Sequence, residues 1–450
     1  MRSSFFYIIF LSLLLSFFYA SIDFWGEAQA NWDYSDMNSR WLNYSFFLLD
    51  IFCAFVLFLN CKGKQYSKIF LNYAMTWFLL FMAGIVLLYI RYRLNRKSVR
   101  MYFSSDVSAL IVLAIISIVQ CNFLIGQPLS MGFAPQRNYI FILVSYFTIR
   151  KLIALDKIDI NTVVNGLLFC GVLSVIIYWL QVNLIDYVQF VHVYKAARVT
   201  RLYVDSFMCV IIGFLGLSKY LEENNKKYLF FVAIELVYEL IIGQSRLELA
   251  SVVLGYAVMI LLMKRLSFRK ICMILIGVIA VVVFINSAFF ERFNEALQMQ
   301  FYNTTTGIDT MAIRKVARDE FVRQLKQSPA TLIFGCGYPN IGYSGTASTA
   351  YIAVGNERIG LVDNGIFAFV YVYGLLGASV VIKWFYKLYK SAWKLYKIKN
   401  IYWPLGFVIS LTILLYNITF WWNKPSWTWG MVFLMCYMEH KLNDELDEEK

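Results

Sequence analysis

The sequence predicts an all-α fold: a polytopic transmembrane helical bundle of about 12–13 spans with one large, partly helical loop on its outer face. Three observations predict it. Apolar residues make up 60% of the 450 and charged residues only 15%, too little polar surface for a soluble chain of this size. The apolar residues fall in runs near 20, the length that crosses roughly 30 Å of hydrocarbon at about 1.5 Å per residue. The runs also lack the strict alternation of a membrane β-barrel, which leaves helices as the way to satisfy a backbone in lipid.

The candidate spans, in order, are residues 5–20, 44–60, 69–90, 106–125, 138–153, 160–180, 203–221, 228–243, 247–263, 271–290, 361–382, 403–421 and 427–438. The first reads as an uncleaved span, because the bulky Phe17-Phe18-Tyr19 before Ala20 makes a poor signal-peptidase site. Residues 1–290 form an N-terminal bundle, 291–360 the large outer loop, 361–440 a C-terminal group of spans, and 441–450 an acidic tail on the cytoplasmic side.

The net charge of +13 does not point to nucleic acid. Lys and Arg gather in short stretches between spans, at Arg91 to Arg100, Lys264 to Lys270 and Lys383 to Lys399. That is the positive-inside pattern, and Tyr386, Tyr389, Trp393 and Tyr396 beside the last stretch fit an interfacial aromatic belt. Counting back from the C-terminus, 150–159, 219–228, 264–270 and 383–400 face the cytoplasm, and 122–137, 181–202, 291–360 and 422–426 face outward. Residues 1–100 do not alternate cleanly, since 61–68 and 91–100 are both basic with one span between them.

Eight scattered cysteines without a C-x-x-C pair support neither a disulfide framework nor a zinc site, and His192 and His440 are too few for a histidine metal centre. No metal or other cofactor is expected. In the large loop, Ile313, Val316, Phe321 and Leu325 recur at helical spacing, so 310–327 reads as a helix ended by Ser328-Pro329. The Gly-rich stretch LIFGCGYPNIGYSG follows; it lacks the lysine of a nucleotide-binding P-loop.

Outward arginines oppose the positive-inside bias, and a guanidinium fork matches phosphate oxygens. Arg198 and Arg201 precede one span, Arg246 sits at the outer end of a hairpin, and Arg314 and Arg318 lie on the loop helix. Each is open to two readings: anion binding, or snorkelling and structural pairing. Asp363, at the outer start of a span, reads as a general base or as a helix N-cap, two roles that are compatible. Glu235 and Glu239, spaced i, i+4 within a span, are either paired inside the bundle or coupled to protons in a transporter.

Four segments, in order, resemble the O-antigen polymerase and ligase superfamily, covering roughly residues 190 to 380. ARVTRLYVDSF resembles its outward arginine loop, with Arg198 on the family's arginine. IIGQSRLELA resembles its Ser-Arg hairpin at Ser245 and Arg246. AIRKVARDEFVRQLKQSPATLIFGCGY resembles its loop helix and Gly-x-Gly turn, with Arg314, Gly335 and Gly337 matching. VDNGIFAFVYVYGLLG resembles the segment that opens the next span, matching at Asn364, Tyr373, Gly374 and Gly377. The main departure is Asp363, where ligases carry histidine.

The resemblance implies a bacterial inner-membrane glycosyltransferase, active on the periplasmic face, with a cytoplasmic C-terminus. It would move a growing surface glycan from undecaprenyl diphosphate to a second lipid-linked repeat unit. Its partners would be undecaprenyl-diphosphate-linked oligosaccharides and bilayer lipid, with a chain-length regulator and a flippase, and no nucleic acid. Arg198, Arg246 and Arg314 would surround the diphosphate and Asp363 would serve the acceptor hydroxyl, with Arg201, Arg318, Asn364 and Glu239 in supporting positions. The alternatives are transfer to lipid A core, as a ligase, and, from another class, a secondary transporter or lipid-linked-sugar flippase.

Overall fold

A computed structural model describes residues 101–154, 158–184, 193–196, 199–202, 206–243, 245–262, 310–340, 351–354, 357–417 and 425–448. The expected spans 5–20, 44–60, 69–90 and 271–290 lie outside the described residues, as does the topology conflict of residues 1–100. The described chain is overwhelmingly helical. In chain order the helices are α1 (Ser104–Ile125), α2 (Leu129–Ala154), α3 (Ile160–Leu184), α4 (Phe207–Glu223), α5 (Leu229–Val237) and α6 (Arg246–Leu261). They continue with α7 (Thr310–Leu325), α8 (Pro329–Phe334), α9 (Gly365–Lys399), α10 (Trp403–Asn417) and α11 (Pro425–Glu448). Two short antiparallel hairpins accompany them: β1 (Val193–Ala196) with β2 (Val199–Leu202), and β3 (Tyr351–Val354) with β4 (Glu357–Gly360).

Several boundaries differ from expectation for local reasons. The outer loop expected at 122–137 shrinks to three residues, because Gly126 takes φ 70° and its N–H closes α1 on the Asn122 carbonyl. The basic stretch 383–400, expected as a loop, is helical to its end. Its lysines extend α9 to 35 residues, and Asn400 caps it in the left-handed conformation. The span at 228–243 begins as α5 and widens into a π-helix over Tyr238–Gly243. Such bulges recur at functional positions. Most of the acidic tail continues α11.

Three of the described helices, α1, α3 and α9, are long and apolar enough to cross a membrane; shorter apolar helices span Leu247–Leu261 and Trp403–Leu415. Large apolar side chains face outward from them, including Phe123 of α1, Phe169 of α3 and Ile382 of α9. Such surface is a liability in water and the ordinary exterior of a membrane protein.

Between helices in lipid, close fit and polar contacts replace the hydrophobic drive. α10 packs along α6 where Gly255 and Gly406 face one another, and a Cβ on Gly255 would fall 2.7 Å from the Gly406 carbonyl oxygen. At one end, Glu439 of α11 ties three elements together. It accepts from the Phe103 N–H at 2.8 Å, Tyr146 OH at 2.5 Å and Arg150 Nε at 2.7 Å, all buried. Near the same end, Lys387 of α9 pairs with Asp106 of α1 at 2.5 Å.

Candidate functional site

The loop helix α7 forms close to where the sequence places it, at 310–325. Its buried face is Ala317, Phe321 and Leu325, an i, i+4, i+8 row, while Val316, expected inside, is exposed. That row docks α7 on the first turns of α9. Phe321 lies against the Tyr371 ring at 4.7 Å between centroids, and Tyr371 OH donates to Gln324 Oε1 at 2.8 Å. One turn earlier, the Arg318 guanidinium covers the Phe367 ring at 4.7 Å, a cation–π contact that holds the charge without neutralising it. The helices therefore run side by side in the same direction. This alignment sets Arg314, one turn before Arg318, level with the 3-10 turn Leu361–Asn364, against which α7 also packs.

That turn carries Asp363 and Asn364. The structure describes the backbone of Asp363 and not its side chain; Asn364 is fully buried at the start of α9. Asn364, not Asp363, occupies the N-cap position, and its side chain makes no capping bond there. Arg314 remains half-buried on α7. At the other end of α7, Glu320 accepts from Arg323 at 2.7 and 2.6 Å and from Gln324 at 2.8 Å. The Arg323 hydrogen bonds hold the Glu320 carboxyl below its usual range.

After α7 the chain makes a second short helix. Ser328 caps α8 in a reciprocal box: its Oγ accepts from the Thr331 N–H at 3.1 Å, and the Thr331 hydroxyl accepts from the Ser328 N–H at 3.1 Å. Residues 329–334, expected as loop, are thus helical. The Gly-x-Gly turn that follows is inserted into the bundle. Gly374 interrupts α9 at φ 65°, ψ −165°, a combination open essentially to glycine alone. The kink frees the carbonyls of Tyr371 and Val372, and the turn fills them: Cys336 N–H donates to Tyr371 O at 2.7 Å and Gly337 N–H to Val372 O at 3.1 Å. There is no room for a side chain on either partner. A Cβ on Gly374 would overlap the Ile333 carbonyl and lie 2.5 Å from Gly335 N; one on Gly337 would lie 2.6 Å from Ser117 O and 2.8 Å from Cys121 N.

Polar side chains lock the turn from the opposite side, and sequence reasoning singled out only one of them, Tyr373. Tyr373 OH donates to Gln136 Oε1, Gln136 Nε2 donates to Ser117 Oγ, and the Tyr338 N–H donates to the same Ser117 Oγ, each at 3.0 Å. Gln127 Oε1 accepts from the Asn340 N–H at 2.8 Å, and Asn340 Nδ2 reaches the Met131 carbonyl at 2.8 Å. Ser117, a polar residue inside an expected span, was the available signal; Gln136 fell in the stretch 122–137 expected as loop.

The second group of singled-out residues lies around the π-helix. Arg198 lies outside the described residues. Arg201 is on β2, which packs against Tyr238–Gly243, and Arg246 is the first residue of α6; neither side chain is described. Glu235 and Glu239 are fully buried, with Glu248 of α6, which sequence reasoning did not weigh, nearly so. Tyr256 OH donates to Glu235 Oε2 at 2.8 Å, and Gly213 of α4 leaves space for this pair. The turn bearing Asp363 packs on α10, and α10 packs along α6, so one helix bridges the two groups. Among the described residues, no group of three or more His, Cys, Asp or Glu is placed to hold a metal ion. No protein-family model matches the chain, and no curated protein matches it.

Proposed function

We propose that this protein is a membrane glycosyltransferase that polymerises a surface glycan, transferring the growing chain from undecaprenyl diphosphate to a lipid-linked repeat unit. The observation that carries the reading is the seating of the Gly335-x-Gly337 turn on the Gly374 kink. Two of the segments that resemble the polymerase superfamily depend on each other physically, and their union sets Arg314 level with Asp363 and Asn364.

In this reading the leaving group is a diphosphate, whose developing charge arginines stabilise without a nucleotide. Arg198, Arg246 and Arg314 hold it, Arg201 and Arg318 add positive charge nearby, and Asn364 positions the turn. Asp363 accepts the proton of the acceptor hydroxyl as the new glycosidic bond forms. The site faces the periplasm in a chain of about 12–13 spans in the bacterial inner membrane, with residues 291–360 outside and the C-terminus inside.

Deletion of the gene tests the reaction class. Loss of a polymerase leaves lipopolysaccharide core carrying a single repeat unit. Bare core would instead indicate a ligase acting on lipid A core, and unchanged chain length in lipopolysaccharide and in every other surface polysaccharide would remove this reading. Arg246→Lys then tests recognition, since it keeps the charge and loses the fork. The expected result is loss of long chains at equal expression; a wild-type length distribution counts against bidentate phosphate binding.

A further inference from the structure

We infer that residues 328–340 form a re-entrant element, dipping from the outer surface to near the middle of the bilayer and presenting Leu332, Ile333 and Phe334 to lipid hydrocarbon. The inference rests on reading α1 and α9 as membrane spans and does not depend on the glycan reaction.

Depth follows from two rulers, one along each helix, that start at the same ion pair. The Asp106–Lys387 ion pair joins α1 and α9 at one polar edge. From it to Ser117 is 11 residues (117 − 106) along α1, and to Gly374 is 13 residues (387 − 374) along α9. At about 1.5 Å per residue these are roughly 16 and 20 Å, out of a hydrocarbon thickness near 30 Å. Gly337 touches Ser117, and Gly335 touches Gly374. The bottom of the turn therefore lies about 10–14 Å beneath the opposite edge. In agreement, α1 continues eight residues beyond Ser117 before Gly126 caps it.

The chemistry of the segment suits that depth. No charged residue occurs between Lys326 and Glu357. Irregular backbone is tolerated within a membrane only where protein satisfies it. The amides of Gly335, Cys336, Gly337, Tyr338 and Asn340 all donate, to Thr331 O, Tyr371 O, Val372 O, Ser117 Oγ and Gln127 Oε1. From Gly337 the chain climbs three residues to Asn340, which bonds Met131 at the start of α2. At about 3.3 Å per extended residue, that covers roughly 10 Å, most of the way back toward the surface.

The occupant of the exposed edge is acyl chain, by continuity with its neighbours. Leu332, Ile333 and Phe334 are 37%, 46% and 39% exposed. The short helix that carries them packs on both α1 and α9, whose outward faces bear Val112, Ile115, Val119 and Phe123, and Leu375 and Ile382. Three consecutive exposed apolar residues are unfavourable in water. Here they close a gap in a lipid-facing wall.

The test places a spin-labelled non-canonical amino acid at Leu332 or Phe334 of the full chain in nanodiscs and measures collision with oxygen and with a water-soluble nickel chelate. Val119 and Ile382 serve as lipid references and Lys315, exposed near the start of α7, as the water reference. These positions are exposed, so the label displaces no packed group. The expected result is oxygen access and nickel exclusion at 332 and 334 equal to those at 119 and 382. Nickel access matching position 315 would overturn the inference, as would exclusion of both reagents, which would mean that protein covers the edge. Nickel access at 119 and 382 as well would instead defeat the membrane reading itself.

Discussion

Gly374→Ala isolates the union of turn and kink. The new methyl would meet the Ile333 carbonyl and stand 2.5 Å from Gly335 N, and both obstacles are backbone, which cannot rotate away as a side chain does. The φ/ψ pair at this position costs an alanine about 1–3 kcal/mol. Expelling the turn also breaks the Cys336–Tyr371 and Gly337–Val372 hydrogen bonds, at about 1 kcal/mol each net and more where a carbonyl is left dry. The chain relieves the conflict most cheaply by releasing the turn, because α9 continues to pack through Trp384, Leu388 and Ala392. The sum is about 3–5 kcal/mol, or roughly two to four powers of ten in the opening equilibrium. Hydrogen exchange followed by mass spectrometry in nanodiscs reads it directly: protection across 335–338 falls by that factor while peptides of α2 and α11 hold theirs. Ser379→Ala, on the exposed side of α9, is the control. Unchanged protection of the Cys336 and Gly337 amides in Gly374→Ala would refute the reasoning.

Three further outcomes follow from the same kind of accounting. Tyr373→Phe strands the buried Gln136 Oε1 and should cost about 1–3 kcal/mol, seen as a lower thermal midpoint that Tyr373→Phe combined with Gln136→Leu partly restores. Glu439→Ala leaves Arg150 buried without its carboxylate and should cost about 3–5 kcal/mol, whereas Glu439→Gln, which still accepts from Tyr146, should cost less in the same melt. Asp159 caps α3, accepting from the Thr162 hydroxyl and from the Asn161 and Thr162 N–H groups, and these hold its carboxyl below its usual range. A lowered folded-state value means stability present above the unfolded pKa and lost as pH falls through the folded one. Acidification below about 4 should therefore weaken α3 in the native chain, and Asp159→Ala should lose about 1 kcal/mol at pH 7 and show a flatter acid limb.

The bundle was legible because its signal is long and redundant: predominantly apolar runs near twenty residues need no partner to identify them. Helix α7 was legible from its period, although Ala317 rather than Val316 faces inward, since alanine carries too little apolar weight to register in a pattern. The turn was visible as two glycines, while Tyr373 and Gly374 stood out in the sequence without the kink that Gly374 makes. Nothing in one dimension says that residue 335 meets residue 374. The lock through Ser117, Gln127 and Gln136 was invisible for a related reason: Ser117, inside a span, announces a partner without naming it, and the two glutamines fall in the stretch expected as loop. The basic stretch 383–399 misled because charge was taken to end the helix, whereas lysine is a good helix former once the axis leaves the hydrocarbon. Neighbouring side chains decide what Arg246 and Asp363 do, and sequence spacing carries none of that.

Connecting segments ordinarily absorb insertions and deletions because few atoms depend on their length. Residues 335–340 reverse that expectation. Two amides pair in register with two consecutive carbonyls of α9, a third finds Ser117, and glycines must stand at 335 and 337. Removing or adding one residue between Phe334 and Tyr338 would move Cys336 or Tyr338 into a slot with no space for a Cβ and slip every downstream bond by one. Length variation between homologous chains should therefore pile up elsewhere between residues 291 and 360 and stop short of this stretch, which would behave in an alignment like a buried strand.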